Sequence, residues 1–254
     1  MREFSDAQAI EVFHISFLGG LASGVDQAHL VLKGGANLRY FFDSLRYSED
    51  IDLDVTHVKA WQLEEKVDRI LNSQALALNL RRTGISVSEF SKPKQTDTTQ
   101  RWKVGIAVPG RGDELRTKIE FSHRRGDTRF VLEYIPGRVV EAYALRPPSI
   151  QHYEASAALE QKVAALAGRS MTQARDVFDL DLLLRIVAFD HGSLEAETIE
   201  LAKERAVDLP FDAFRDQVLP FLEPEVAATY DTQESWQHMQ EFVALKLGVT
   251  DEDD

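Results

Sequence analysis

From residue 48 to residue 55 the chain reads Ser-Glu-Asp-Ile-Asp-Leu-Asp-Val, and this alternation is its best candidate for chemistry. Side chains point to opposite faces of a strand in turn. Ser48, Asp50, Asp52 and Asp54 therefore share one face, while Ile51, Leu53 and Val55 turn to a core. Carboxylates stacked in this way repel unless a cation or solvent offsets them. An Asp-x-Asp pair offers oxygen ligands to one hard divalent ion, and a third acid can complete a two-ion site. Mg²⁺ is the natural occupant, because it prefers oxygen and keeps waters and substrate phosphates as its other ligands. Alone the pair is weak evidence, since most such pairs are solvated edge residues. Its surroundings add weight. Lys33-Gly34-Gly35 follows a strand-like run and precedes a segment compatible with a helix. Glycines there let backbone N–H groups approach a phosphate, and a helix N-terminus favours negative charge. The plainer reading of those glycines is a tight strand-to-helix turn without a ligand.

Such residues need a sheet to hold them, and the pattern supplies one. Ser5 or Asp6 caps a helix over 5–18, with Ala9, Ile10, Phe13, Phe17 and Leu18 at helical spacing. Residues 29–33 and 51–55 read as strands, with a helix-compatible stretch at 36–44 between them. Leu63, Val67, Ile70 and Leu71 predict one helix over 61–80. Strand-like runs follow at 85–90, 102–108, 115–121 and 129–135, and Gly110-Arg111-Gly112 is most simply a hairpin turn. Pro147-Pro148 lies in the best linker, 145–150, because consecutive prolines continue neither element. Beyond it the chain turns Ala- and Leu-rich. Helices are expected across 154–189, interrupted only by Gly168, and over 194–207, 211–221 and 235–247, with the terminal Asp-Glu-Asp-Asp fraying. The pattern gives an α/β domain over 1–145 followed by an all-α domain over 150–250.

Composition narrows the possibilities. The 254 residues are 44% hydrophobic, which suits folded domains with proper cores. No apolar run approaches the roughly 20 residues that span a bilayer, and the N-terminus lacks a signal-peptide layout, so a cytoplasmic location and no membrane partner are expected. With no cysteine in the chain, disulfides and thiolate metal sites are excluded. The net charge of −13 is unevenly spread. Residues 1–150 hold 21 Lys/Arg against 20 Asp/Glu, and residues 151–254 hold 8 against 22. Within the first part, residues 81–129 carry 12 basic and 6 acidic side chains, so a polyanion can meet a positive face. The other reading is ordinary solvated strand and loop charge. His14 and His29 sit beside apolar segments and read as packed or exposed rather than as ligands. His123, His152 and His191 have no partner at metal spacing, and no histidine near Ser48 in sequence suggests a hydrolase.

Taken together, LKGGANLRYFFDSLRYSEDIDLDV (32–55) resembles the AbiEii/AbiGii-type nucleotidyltransferase toxins, whose signature is a KGG turn followed by R-x-SEDIDL. Lys33, Gly34, Gly35, Arg46, Ser48, Glu49, Asp50, Ile51, Asp52 and Leu53 stand where that signature wants them. The departure is Ala36-Asn37, where family members more often have Thr-Ala, which bears on nucleotide contacts and not on the chemistry. LRTKIEF (115–121) resembles the strand that supplies the third acid in the wider fold, with Glu120 as that acid and Arg116 and Lys118 on its face. LEQKVAALAGRSMTQARDVFDL (159–180) resembles the family's second-domain pattern through Lys162, Ala165, Leu166, Arg169, Arg175, Asp176, Asp179 and Leu180. The resemblance runs from about residue 29 to 183.

The resemblance implies an α+β nucleotidyltransferase fold, a mixed sheet with flanking helices followed by an all-α domain that contributes Lys and Asp residues to the cleft. It implies Mg²⁺ on Asp50, Asp52 and Glu120, as one ion or two, and an NTP substrate. Lys33, Gly34, Gly35, Arg46, Ser48 and Lys162 would bind the nucleotide, and Asp176 or Asp179 would complete the site or position Lys162. Helix-surface ion pairs are the other reading of those three. Members of the family act as toxins of toxin–antitoxin or phage-defence pairs, and some related enzymes add nucleotides to the 3′ end of transfer RNA. The expected activity is therefore transfer of a nucleotide to an RNA hydroxyl with release of pyrophosphate, with an antitoxin as protein partner. An RNA acceptor would lie along Arg81, Arg82, Lys92, Lys94, Arg101 and Lys103. Transfer onto a protein hydroxyl and a non-catalytic nucleotide-binding relative are the alternatives.

Overall fold

The structure, a computed structural model, describes residues 4–23, 29–124 and 128–248. The chain forms two compact units, one made of Met1–Asp43 with Tyr47–Tyr153 and one of Ser44–Arg46 with Glu154–Asp254.

The first unit is built on a seven-stranded mixed sheet. Its strands are β1 (Leu30–Lys33), β2 (Ile51–Val55), β3 (Ser86–Gln95), β4 (Thr99–Ala107), β5 (Leu115–Ser122), β6 (Phe130–Tyr134) and β7 (Ser149–Tyr153). Their order is β3-β4-β5-β2-β1-β7-β6. β2 pairs antiparallel with β1 and parallel with β5, which puts the acidic strand in the middle of the sheet. Alternation does the rest. Leu30, Leu32, Ile51, Leu53, Ile119 and Phe121 are all buried in one core, so Lys33, Asp52 and Glu120 project from the opposite face.

Helix α1 (Asp6–Ala22) is seated in that core and packs on α3 (Ala60–Leu71), α4 (Gln74–Arg82), β5 and β7. Ser5 caps it in a box with Gln8. Ala9, Val12, Phe13, Ile15, Phe17, Leu18 and Leu21 are all buried, which is apolar coverage nearly all round and marks a central helix rather than a surface one. One acid is carried in with it. Glu11 accepts from Arg39 Nε at 2.8 Å and from the Tyr143 hydroxyl at 2.5 Å, so its charge is met inside the fold.

Two expectations for this unit are corrected. The stretch 61–80 is two helices, because Ser73 Oγ accepts from Leu76 N at 3.1 Å and starts α4 afresh. The Pro147-Pro148 pair does not open a free linker, since β7 begins at Ser149 and pairs with both β1 and β6. Pro148 contributes only its carbonyl, which accepts from Ile135 N at 2.9 Å, so its missing N–H costs nothing there.

The second unit is all helical, with α6 (Ala155–Gly168), α7 (Ala174–Ile186), α8 (Ala196–Asp208), α9 (Phe211–Gln217), α10 (Pro224–Tyr230) and α11 (Gln233–Gly248); a short α5 (Gly137–Val140) belongs to the first unit. Trp236 and Phe214 are buried at its core and stack with ring centroids 4.7 Å apart. α10 is unforeseen in the sequence reading, although Pro224 at its first position is a helix-start signal. The acidic tail expected to fray, Asp251–Asp254, lies outside the described residues.

Candidate active site

Strand register lays the site out as a row. Lys33 of β1 stands opposite Asp52 of β2, and Asp52 stands beside Glu120 of β5. Asp50 enters the row one step earlier, next to Lys118. Its Oδ1 accepts from the Lys118 backbone N–H at 2.9 Å, and its Oδ2 meets the Lys118 ammonium at 2.9 Å. Glu120 accepts from Arg101 Nε at 2.6 Å. Asp54 is matched by Lys33 Nζ at 2.5 Å and by the Tyr153 hydroxyl at 2.7 Å. A stack of acids on one strand face is thus tolerated because cations from β1, β4 and β5 face it.

The glycine turn closes on this row. Gly34 has φ of 67°, and a Cβ at this position would lie 2.8 Å from Asp52 Oδ2. Only glycine satisfies both demands. The turn leads into α2 (Gly34–Phe41), whose first amides receive no side-chain cap. They remain available to an anionic ligand. Asn37, at the departure from the family pattern, is buried and structural. Its Nδ2 donates to the Tyr153 carbonyl at 3.0 Å, and its Oδ1 lies 3.0 Å from His152 Nδ1.

Behind the row, a relay that the sequence reading missed fixes the loop that carries Asp50. The Thr117 hydroxyl donates to the Glu49 carbonyl at 2.7 Å, and His14 Nε2 lies 2.7 Å from the same hydroxyl. Thr117 has one proton and has committed it, so His14 must donate from Nε2. Complete burial pushes the His14 pKa down to about 3, which keeps the ring neutral. Ser48 Oγ donates to the Asp50 carbonyl at 2.8 Å and closes the loop from its other side. Nothing in the local sequence announces a bond between residues 14 and 117.

In the helical unit, Lys162, Asp176, Asp179, Arg169 and Arg46 form one ionic cluster in which Arg46, Asp176 and Asp179 are buried. Lys162 Nζ lies 3.1 Å from Asp176 Oδ1 and 2.6 Å from Asp179 Oδ2. Arg46 Nη2 is 3.0 Å from Asp179 Oδ2, and Arg169 Nε is 2.7 Å from Asp176 Oδ2. Burial pushes the Asp179 carboxyl up, but Arg46 and Lys162 outweigh it and hold the group below its usual range. For Lys162 burial acts downward, and the two aspartates reverse it. The ammonium is therefore kept charged.

The six basic residues named for an acceptor do not share one surface. Arg101 pairs with Glu120 and Lys103 with Lys118 across β4 and β5, and Lys94 stands opposite Arg101, so these three lie on the Asp50 face. Lys92 is tied to Glu64 and Asp68 of α3, at 2.5 Å and 2.9 Å, and Arg81 and Arg82 end α4.

Among the described residues, no three His, Asp or Glu side chains converge as a ready metal-binding group. Asp50, Asp52 and Glu120 share a face, but Glu120 is held by Arg101. The donor set still fits a hard ion in kind. Asp50 and Asp52 offer only oxygens beside the phosphate-sized turn, and Mg²⁺ is commonly held by one or two carboxylates with substrate phosphates as the remainder.

A family model, the nucleotidyl transferase AbiEii toxin of type IV toxin–antitoxin systems, matches residues 16–247 of the chain. The chain belongs to the AbiEii family. It is accordingly a nucleotidyltransferase toxin of that system, a membership that implies an NTP substrate and an antitoxin partner. No curated protein matches the chain. Two solved structures share the AbiEii chain's fold. JHP933 of Helicobacter pylori is 19% identical, with a TM-score of 0.58 over 97% of this chain and 95% of that one. A second H. pylori protein, provisionally described as a nucleotidyltransferase, is 20% identical, with a TM-score of 0.56 over 94% and 96%. No helix among the described residues of this AbiEii protein is long and apolar enough to cross a membrane.

Proposed function

We propose that the protein transfers a nucleoside monophosphate from an NTP to an RNA hydroxyl, with the 3′ end of transfer RNA as the acceptor that the family resemblance suggests. The observation that carries this reading is the row Lys33–Asp52–Glu120 with Gly34 against Asp52. Asp50 and Asp52 would hold Mg²⁺, with Glu120 sharing a second ion. Bound there, the metal offsets triphosphate charge and lowers the pKa of the attacking hydroxyl. The Gly34 and Gly35 amides and Lys33 cradle the phosphates. Ser48 holds the Asp50 loop, and Glu120, steadied by Arg101, takes the acceptor proton. Within the helical unit Asp176 and Asp179 keep the Lys162 ammonium charged, as the phosphate-binding role that the family resemblance implies for it would require, and Arg46 braces Asp179. The acceptor oxygen bonds to the α-phosphorus, the bond from that phosphorus to the bridging oxygen breaks, and pyrophosphate leaves.

Lys94, Arg101 and Lys103 on the Asp50 face favour RNA over a protein acceptor. The test is Mg²⁺-dependent transfer of labelled ATP, GTP, CTP and UTP into total transfer RNA and, separately, into total protein. Label in RNA from one of the four is the expected result. Label in protein alone contradicts the RNA reading.

A further inference from the structure

The row of acids has two flanks. On one side, β1 leads into the Gly34 turn, where the phosphates of an NTP are placed. On the other side, β5, β4 and β3 form a pocket of about 250 Å³ that borders Asp50 and contains Lys103, Arg116, Lys118, Glu89 and Glu114 in its walls. In a single strand direction across the sheet, the order is pocket, Asp50 with Asp52, then glycine turn. An in-line transfer needs its two substrates on opposite sides of the reacting phosphorus. We infer that this pocket is the acceptor site and that it takes the terminal nucleotide of an RNA strand. The inference rests on the RNA reading above.

The pocket's chemistry matches a ribonucleotide better than a protein hydroxyl. Lys103 lies exposed on the open face and has no ion-pair partner among the described residues, so its charge is available to a phosphate. Arg116, largely exposed, has Glu114 at 3.7 Å as its ion-pair partner among the described residues. Charges of this kind position a backbone. Glu89 and Glu114 are acceptors, which phosphate repels but which ribose hydroxyls and exocyclic amines can meet. The floor is Gly105, in the middle of β4, where a Cβ would lie 2.3 Å from the Glu114 carboxylate. The pocket is bounded there by the Glu114 carboxylate, which takes the space a side chain at position 105 would need. Its volume is on the scale of a single nucleoside, which suits a chain end.

The test is initial rates of label transfer with total transfer RNA varied at saturating NTP, then with NTP varied at saturating RNA. Wild type is compared with Lys103→Ala/Arg116→Ala, both positions exposed, and with Gly105→Val, whose side chain takes the place of the Glu114 carboxylate and displaces it into the pocket. The expected result is a KM for RNA raised at least tenfold in both variants, with KM for NTP within twofold of wild type. The slope of log KM for RNA against log salt should fall by about two in the double variant, roughly one per cation removed. An unchanged KM for RNA, or both KM values rising together, overturns the pocket assignment alone. A wild type that labels no RNA overturns the RNA reading, and this assignment with it.

Discussion

Gly34 lies so close to Asp52 that any side chain at position 34 would press on the Asp52 carboxylate, with a Cβ only 2.8 Å from Oδ2. The turn that would cradle phosphate and the acid that would hold metal are therefore one construction. Gly34→Ala must either leave the left-handed backbone conformation or displace Asp52. The expected cost is about 1–3 kcal/mol of stability from the strained backbone. Transfer should fall more than tenfold even where the variant is folded, with the Mg²⁺ requirement shifted to higher concentration. Metal titration of activity beside a urea unfolding curve checks both. Normal Mg²⁺ dependence in Gly34→Ala would separate the turn from the metal site.

Thr117 joins α1 to the Asp50 loop through one hydroxyl. Thr117→Val keeps the shape and removes both hydrogen bonds, leaving the Glu49 carbonyl and His14 Nε2 without this partner. A loss of about 1–3 kcal/mol is expected. Turnover should drop while KM for NTP changes little, because the loop carries Asp50 and not the glycine turn. Steady-state kinetics on folded protein decides it, and unaltered turnover would reduce the relay to a packing contact.

His14 makes acid stability measurable at one residue. Its folded pKa, about 3, lies below the ordinary imidazole value of 6.5, because burial disfavours the charged ring. The unfolded chain therefore binds a proton below pH 6.5 that the folded chain refuses. Stability from this group is complete above pH 6.5 and is lost as pH falls toward 3, by about 1.4 kcal/mol per pH unit. His14→Gln keeps a donor for Thr117 but does not titrate. Urea unfolding at pH 7, 6 and 5 should show wild type losing stability faster than the variant. Parallel pH profiles would contradict a buried neutral His14.

Asp179 answers to Arg46 and Lys162 in the helical unit. Asp179→Asn leaves two buried cations short of a partner, at a cost of about 3–5 kcal/mol. The carboxyl is held below its usual value of 3.8. Its contribution is thus present above that value and lost as pH falls through the lower folded one. Thermal unfolding should show the variant destabilised at pH 7 and converging on wild type in strong acid. A variant as stable as wild type at pH 7 would remove Asp179 from the unit's support.

Much of this was legible in the sequence because the signals are local. The strand Ile51–Val55 announces itself by alternation, the glycine turn by composition, and both by one uninterrupted motif. The helices α3 and α4 merged in the reading because Leu and Ile spacing runs on through Asn72-Ser73, and a serine cap is visible only when the chain turns there. The start of β7, Ser149-Ile150, looks like the end of a linker because its partner, β1, is far away in sequence and the prolines before it dominate the local signal. The Lys118–Asp50 pair, the His14–Thr117 bond and the inclusion of Ser44–Arg46 in the helical unit all depend on register or tertiary placement. No local pattern encodes those. The same limit explains the acceptor residues, where charge counting gathered Arg81, Arg82 and Lys92 with Arg101 and Lys103 although the sheet separates them.

The assignment of nucleotidyl transfer to Asp50 and Asp52 is tested by label transfer from NTP by wild type, Asp50→Asn and Asp52→Asn at saturating Mg²⁺. Circular dichroism establishes that each variant is folded. On this assignment wild type transfers label in a Mg²⁺-dependent way and each variant loses at least about a hundredfold, since a metal ligand contributes several kcal/mol to the barrier. Undiminished transfer by either folded variant would contradict it.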